Sequence, residues 1–217
     1  MYNILNNAFI FRRLLHTLSD KLFFIRTCLL RRSLRLLMRS SETRQAKVVF
    51  SGESGVGKTA ASRVMVTDGQ EFPNNYTITF GVNLFVKSIN VPESSTTFLI
   101  YDSTGFDLYS KYLNSYWDKP DILVLMYSVT SQMTFDRIDH WLRLAKEAEW
   151  GHGPLPKISA LFANKTDLKS RRVISYEQGK ELAAKLKMEY FEGSAKSNQG
   201  LDKLMRWLAQ EWHQSAM

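Results

Sequence analysis

The stretch Gly52-Glu53-Ser54-Gly55-Val56-Gly57-Lys58-Thr59 constrains this chain more than any other segment of comparable length. It fits the pattern G-x-x-x-x-G-K-[ST] in full. An apolar run, AKVVFSG at 46–52, leads into it, and KTAASRVMVTD at 58–68 has the composition of a helix leaving it. A strand that enters a glycine turn and passes directly into a helix collects backbone N–H groups around one point, which suits a chain of phosphates. Gly52, Ser54, Gly55, Val56 and Gly57 supply that backbone. Lys58 places a point charge on the outer phosphates, and Thr59 offers a hydroxyl to Mg²⁺. A glycine-rich turn can match by accident; here both flanks are those the motif requires.

Beyond this turn, strands and helices alternate. YTITFGVNLFVKSIN (76–90) and STTFLIYD (95–102) read as two strands joined near VPES, a hairpin. DILVLMYSV (121–129) is a continuous apolar run of strand length, as expected for a strand covered on both faces. SQMTFDRIDHWLRLAKEAEW (131–150) reads as one helix with Ser131 as N-cap and the GHGPLP loop closing it. KISALFANKTD is another buried strand ending in a polar loop. SYEQGKELAAKLKM is a helix, EYFEGSAK a strand and loop, and GLDKLMRWLAQEWHQ a final helix. The pattern predicts an α/β fold with a mostly parallel six-stranded sheet and helices on both faces. Ligands in such sheets sit at the carboxyl ends of the strands, where every polar motif of this chain falls.

The charge is uneven. Residues 1–45 hold nine Lys and Arg against Asp20 and Glu42, which accounts for +7 of the net +8. The remainder is nearly balanced and carries no basic stripe, so nothing in the charge distribution points to nucleic acid. The single cysteine, Cys28, excludes a disulfide framework and a cysteine-based zinc site, and suggests a reducing compartment. His16, His140, His152 and His213 show no ligand spacing. Residues 1–45 are expected to form a basic extension, and 46–217 the main domain. In the extension Phe11, Leu15, Leu18, Leu22, Ile25 and Leu29 recur at helical spacing between arginines, with no uncharged run of the ~18 residues a bilayer span needs. Three readings stay open: an amphipathic targeting or membrane-surface helix, an upstream stretch not normally translated because Met38 precedes the domain, or a helix that packs on a partner.

A phosphate loop does not name the base. The tetrapeptide Asn164-Lys165-Thr166-Asp167 ends the ISALFA strand. An aspartate there can accept from both the ring N–H and the exocyclic amine of guanine, a pair that adenine cannot offer. Asn164 can bond to the base and to the phosphate loop, while the Lys165 stem lies over the ring. Alone such a tetrapeptide is a weak signal. Following the phosphate loop by about a hundred residues, and followed in turn by Ser194-Ala195-Lys196, it becomes a strong one.

The ordered set GESGVGKT, YTITFG, YDSTG, NKTD and GSAK resembles the Ras-like small GTPases, nearest the Rab branch, over roughly residues 46–213. The resemblance implies a P-loop G domain that binds GTP or GDP with Mg²⁺ and hydrolyses GTP. It implies that Thr79, within the first switch, binds Mg²⁺ and senses the γ-phosphate; Thr77 is the alternative, but only Thr79 precedes an apolar–glycine pair. It makes Asp102 the residue holding Mg²⁺ through water, and Gly105 the glycine whose N–H meets the γ-phosphate. The metal set is then Thr59, Thr79 and Asp102, and the contacts that matter to catalysis are Lys58, Thr79 and Gly105. Finer likeness, in TDGQEFPNNYTIT, STGFDLYSKYLNSYW, NKTDLKSRRV and EWHQ, resembles the Rab-like GTPase subunit of intraflagellar transport complex B. That implies a cytoplasmic and ciliary or flagellar location, complex B partners including a small β-sandwich subunit, and exchange or activating factors. A divergent Rab of another route and a Ras-like protein without a ciliary role are the rival readings.

Two departures matter. The second switch of the family reads D-x-A-G-Q, whereas this chain reads Asp102-Ser103-Thr104-Gly105-Phe106. The missing glutamine orients the attacking water, and a phenylalanine side chain has no donor or acceptor to do so. Asp107 would bring a like charge to the γ-phosphate. Hydrolysis is therefore expected to be slow while binding survives. The second departure is EWHQSAM, which has no terminal cysteine for the lipid anchor of ordinary Rabs. Three functions follow: a slow GTP switch, a nucleotide-loaded scaffold that does not cycle, and a small phosphotransferase. NKTD and SAK argue against the last, which would also need an arginine-bearing lid.

Overall fold

The computed structural model describes residues 43–91, 94–106, 113–117, 120–147 and 156–215. The expectations placed on residues 1–42, on Asp107 and on the GHGPLP loop before Pro156 lie outside that set. Six strands form one sheet in the order β2-β3-β1-β4-β5-β6. They are β1 (Thr43–Ser51), β2 (Val82–Val91), β3 (Ser94–Ser103), β4 (Ile122–Ser128), β5 (Ile158–Asn164) and β6 (Glu189–Glu192). The pairs β1–β4, β4–β5 and β5–β6 are parallel. β2 and β3 form the expected antiparallel hairpin, with Val82 opposite Ser103 and Val91 opposite Ser94. Among the described residues the α-helices are α1 (Lys58–Val66), α2 (Leu113–Trp117), α3 (Gln132–Asp136), α4 (Ile138–Lys146), α5 (Tyr176–Leu186) and α6 (Leu201–Gln214).

The unbroken apolar run of β4 sits at the middle of the sheet with every residue buried. Its side chains alternate between two cores, as the two-residue period of a strand requires. Val124 and Met126 join Phe50, Ile100 and Phe162 beneath α1 and α6. Leu123, Leu125 and Tyr127 join Val49 and Leu161 beneath Trp117, Trp141 and Ala183 of the other helices. Burying both faces removes the amphipathic alternation, so the sequence of β4 reads as continuous hydrophobicity. Parallel pairing brings the ends of β1, β4, β5 and β6 to one edge, and the polar motifs open there.

Two expected elements differ from the sequence reading, and α2 is a helix that the sequence reading did not include. The strand expected from Tyr76 starts at Val82, and residues 71–80 run outside the sheet. Hydroxyls of this segment bond across to the phosphate loop instead of leaving its backbone to pair with β3, and Gly81 (φ 77°) turns the chain into the ladder. The helix expected over 131–150 is two helices broken at Arg137 (φ −84°, ψ 0°). Ser131 caps the first as expected, accepting from the Thr134 N–H. Arg137 leaves helical geometry where its guanidinium meets Glu53 of the phosphate loop.

Candidate functional site

The phosphate loop leaves β1 at Ser51 and enters α1 through Gly57, which stands at the N-cap with φ 100°. A side chain there would be strained, and its Cβ would collide with the Asn164 amide. The first turn of α1 holds no acidic residue, so its positive dipole end faces the loop uncompensated. Val56 is buried within the loop, while Gly55 is exposed at its crest and lines the hollow beside it.

Lys58 is 5% exposed and folds back over the loop. Its Nζ donates to the Gly52 carbonyl at 2.7 Å and to the Glu53 carbonyl at 3.0 Å. Burial pulls the ammonium down to about 8, against the opposing pull of the Asp102 and Glu53 carboxylates. An anion in the loop would repay that desolvation by supplying the missing negative partner.

Three oxygen-bearing side chains from three elements meet beside Lys58. Thr59 Oγ1 donates to Asp102 Oδ2 at 2.7 Å. With that proton committed, the 2.9 Å contact between Thr59 and Thr79 has the Thr79 hydroxyl as donor. Asn83 Nδ2 also donates to Asp102 Oδ2, at 3.2 Å. The other carboxylate oxygen, Asp102 Oδ1, is buried with no hydrogen-bond partner. Burial, the largest influence, raises the Asp102 pKa against the Thr59, Lys58 and Asn83 contacts that favour its charge. A buried carboxylate oxygen without a donor is costly in a folded protein, and two hydroxyls and a carboxylate are oxygen ligands of the kind a hard divalent cation takes. The residues fit Mg²⁺. Thr79 is the threonine brought to this cluster; Thr77 is exposed on the wall of the hollow.

The second switch begins beside the loop. A Cβ on Gly105 would overlap the backbone at Glu53 and Ser54, so only glycine lets β3's continuation lie this close. Phe106 follows, 40% exposed, its ring on the wall of the hollow and its N–H bonded to Thr104 Oγ1 at 3.3 Å. Tyr76 closes over the other side, its hydroxyl 2.7 Å from Ser54 Oγ. Trp117 is fully buried and donates its indole N–H to Ser103 Oγ at 2.9 Å, tying α2 to the end of β3.

The base-side motifs form a more heavily bonded wall. Asn164, 1% exposed, donates to the Val56 carbonyl at 2.8 Å and accepts from the N–H groups of Lys165 at 2.8 Å and Ala195 at 3.0 Å. One side chain thus joins all three loops. Ser194 Oγ donates to Asp167 Oδ1 at 2.5 Å, and the Thr166 N–H donates to the Gly193 carbonyl at 3.1 Å. Lys165 adopts a left-handed φ of 69°, and burial lowers its pKa against the pull of Asp167. Lys165, Asp167, Ala195 and Lys196 line a second hollow. It shares Gly57, Ala60 and Phe72 with the first, so the two form one trough.

Behind this wall Arg172 makes a bidentate pair with Glu192, at 3.0 and 2.8 Å. Glu192 also accepts from Tyr190, whose hydroxyl lies 3.0 Å from that of Tyr127. Sequence reasoning did not find Glu53, Phe72, Tyr76, Asn83, Arg137, Trp117 or Arg172. Phe72 lines the hollow, and the others act through side-chain contacts with residues distant in sequence, which no local pattern announces.

A profile of the Ras family matches residues 47–214. The chain belongs to the Ras family, whose members bind GTP and GDP with Mg²⁺ and hydrolyse GTP. It is similar to the intraflagellar transport protein 27 homolog of Bos taurus, 37% identical over 170 residues, covering 77% of this chain and 90% of the relative. The Homo sapiens homolog is 35% identical over 171 residues, with 78% and 90% covered. Ras-related protein Rab-30 of Homo sapiens is 31% identical over 163 residues, with 75% and 77% covered. The chain is a Ras-like GTPase homologous to intraflagellar transport protein 27, with Rab relatives beside it.

Proposed function

We propose that this chain is a guanine-nucleotide switch of slow turnover that serves as a subunit of intraflagellar transport complex B in the cilium or flagellum. The observation that carries the reading is a trough lined by Asp167 in one part and by Thr59, Thr79 and Phe106 in the other, with the buried Asp102 bonded to Thr59. Asp167 and Lys165 select guanine, Asn164 holds the base loop to the phosphate loop, and Ser194, Ala195 and Lys196 support the base from behind. The loop from Gly52 to Thr59 cradles the phosphates, with Lys58 on the outer ones. Thr59, Thr79 and Asp102 hold Mg²⁺, which supplies charge neutralisation to the phosphates when bound.

Hydrolysis needs a water held in line with the γ-phosphate. Lys58, Thr79 and the Gly105 N–H stabilise charge there, but the Phe106 ring can neither donate to nor accept from that water. Binding and chemistry are thereby separated. The protein stays loaded long after a glutamine-bearing relative would have turned over. A scaffold that never cycles uses the same binding residues and differs only in its rate.

Competition between GTP and ATP tests the base assignment. The wild type is expected to prefer GTP, and Asp167→Asn to lose that preference; an unchanged preference would sink the role given to Asp167. For the assembly, purification of the tagged native protein is expected to recover flagellar transport subunits, among them a small β-sandwich partner. Recovery of none removes the complex B reading and leaves the nucleotide site standing.

A further inference from the structure

Glu53 belongs to the loop that is otherwise built to receive an anion, and its carboxylate is turned to Arg137 and Trp141. Its backbone lies against Gly105, and its carbonyl accepts from Lys58 Nζ at 3.0 Å. The side chain is only 13% exposed. Its carboxylate takes the Ser54 N–H at 3.2 Å through Oε1 and the Trp141 indole N–H at 3.4 Å through Oε2. The compensating charge comes from Arg137, whose Nε lies 2.5 Å from Oε2 and whose side chain is 33% exposed. Arg137 stands at the break between α3 and α4, where the sequence pattern alone leads one to expect uninterrupted helix.

A carboxylate beside a polyphosphate repels it, and the repulsion grows with the number of phosphate charges. A cation beside that carboxylate offsets the repulsion at the loop. We propose that Arg137 sets the triphosphate-over-diphosphate preference of this site by neutralising Glu53. It acts through Glu53 rather than by touching the ligand, so it is a positioning residue. The inference rests on the guanine-nucleotide reading above. A brace that merely held the loop to α4 would weaken every nucleotide alike; a charge-balancing pair weakens the most highly charged ligand most.

The test measures GTP, GDP and GMP affinities of the full chain with Mg²⁺, at low and high salt, alongside thermal melting. Arg137→Gln is expected to weaken GTP by roughly tenfold, GDP less and GMP least, with the spread narrowing as salt rises. Arg137→Lys, which keeps the charge, should hold the wild-type order. Glu53→Gln added to Arg137→Gln should restore the GTP:GDP ratio. Glu53→Gln alone, which removes a negative charge from the loop and keeps the arginine, should raise that ratio, and this variant carries the test if Arg137→Gln fails to fold. Equal losses for all three ligands, or a double variant as weak for GTP as Arg137→Gln, would overturn the proposal. So would a Glu53→Gln ratio at or below wild type. A wild type that binds no guanine nucleotide overturns the functional reading together with this inference, whereas binding with an unmoved ratio overturns this inference alone.

Discussion

The two ends of the trough are built by opposite means. At the base end, the loops after β5 and β6 are cross-linked by buried side chains: Asn164 alone makes three hydrogen bonds, and Ser194 clamps Asp167. At the switch end, residues 71–80 reach the phosphate loop through two hydroxyl contacts, Thr79 to Thr59 and Tyr76 to Ser54. Tyr76 and Phe80 there are 68% and 69% exposed. Such exposure goes with a low free energy of local opening. The site thus pairs a base wall already in place before ligand arrives with a switch segment that costs little to move. On the function proposed above, nucleotide identity is read by the first, and nucleotide state by the second.

Breaking the rigid end should have the largest effect. Asn164→Ala leaves the Val56 carbonyl and two N–H groups without their partner, so a loss of about 2–4 kcal/mol in unfolding free energy is expected. Guanine-nucleotide affinity should fall with it, by roughly a hundredfold or more. Denaturant melts and nucleotide titration of the variant check both. A loss confined to affinity would show that Asn164 acts on the base alone and does not knit the loops.

The next effect lies between the two ends, at Lys58. Its folded value of about 8 sits below the ordinary 10.5 of the unfolded chain. Between these values the unfolded chain holds a proton that the folded one has released, so stability without nucleotide rises with pH through that window and is lost as pH falls through about 8. Lys58→Met should flatten this slope in melts of nucleotide-free protein between pH 8 and 10, with the part contributed by Lys165 remaining. Nucleotide phosphates favour the charged ammonium, so wild-type GTP affinity should weaken as pH rises above about 8.

The smallest effect should come from the loosely tied switch. Tyr76→Phe removes one exposed hydroxyl contact and should change stability by about 0.5 kcal/mol or less. A large loss there would mean that the first switch is held as firmly as the base wall, and would erase the contrast between them.

How much of this was legible beforehand follows the same division. The phosphate loop, NKTD and GSAK were readable because backbone geometry and ligand chemistry restrict the residue types at short spacing. The β4 run was readable because burial on both faces admits only apolar side chains. The start of β2 was misplaced because Tyr76-Thr77-Ile78-Thr79-Phe80 has the composition of a strand, while its hydroxyls bond across to the phosphate loop. The helix break at Arg137 was invisible because its residues favour helix locally, and the partner that marks the break lies at Glu53. The Ser103–Trp117 bond escaped for the same reason: it joins β3 to a five-residue helix that no periodicity announces.

The central claim is that Phe106 disables chemistry and leaves binding intact. Single-turnover hydrolysis of preloaded GTP, wild type against Phe106→Gln, tests it most directly. The account predicts a faster rate in the variant, by at least roughly tenfold, with GTP and GDP affinities changed by less than about twofold. Equal rates, or a gain in rate matched by an equal shift in affinity, would contradict it.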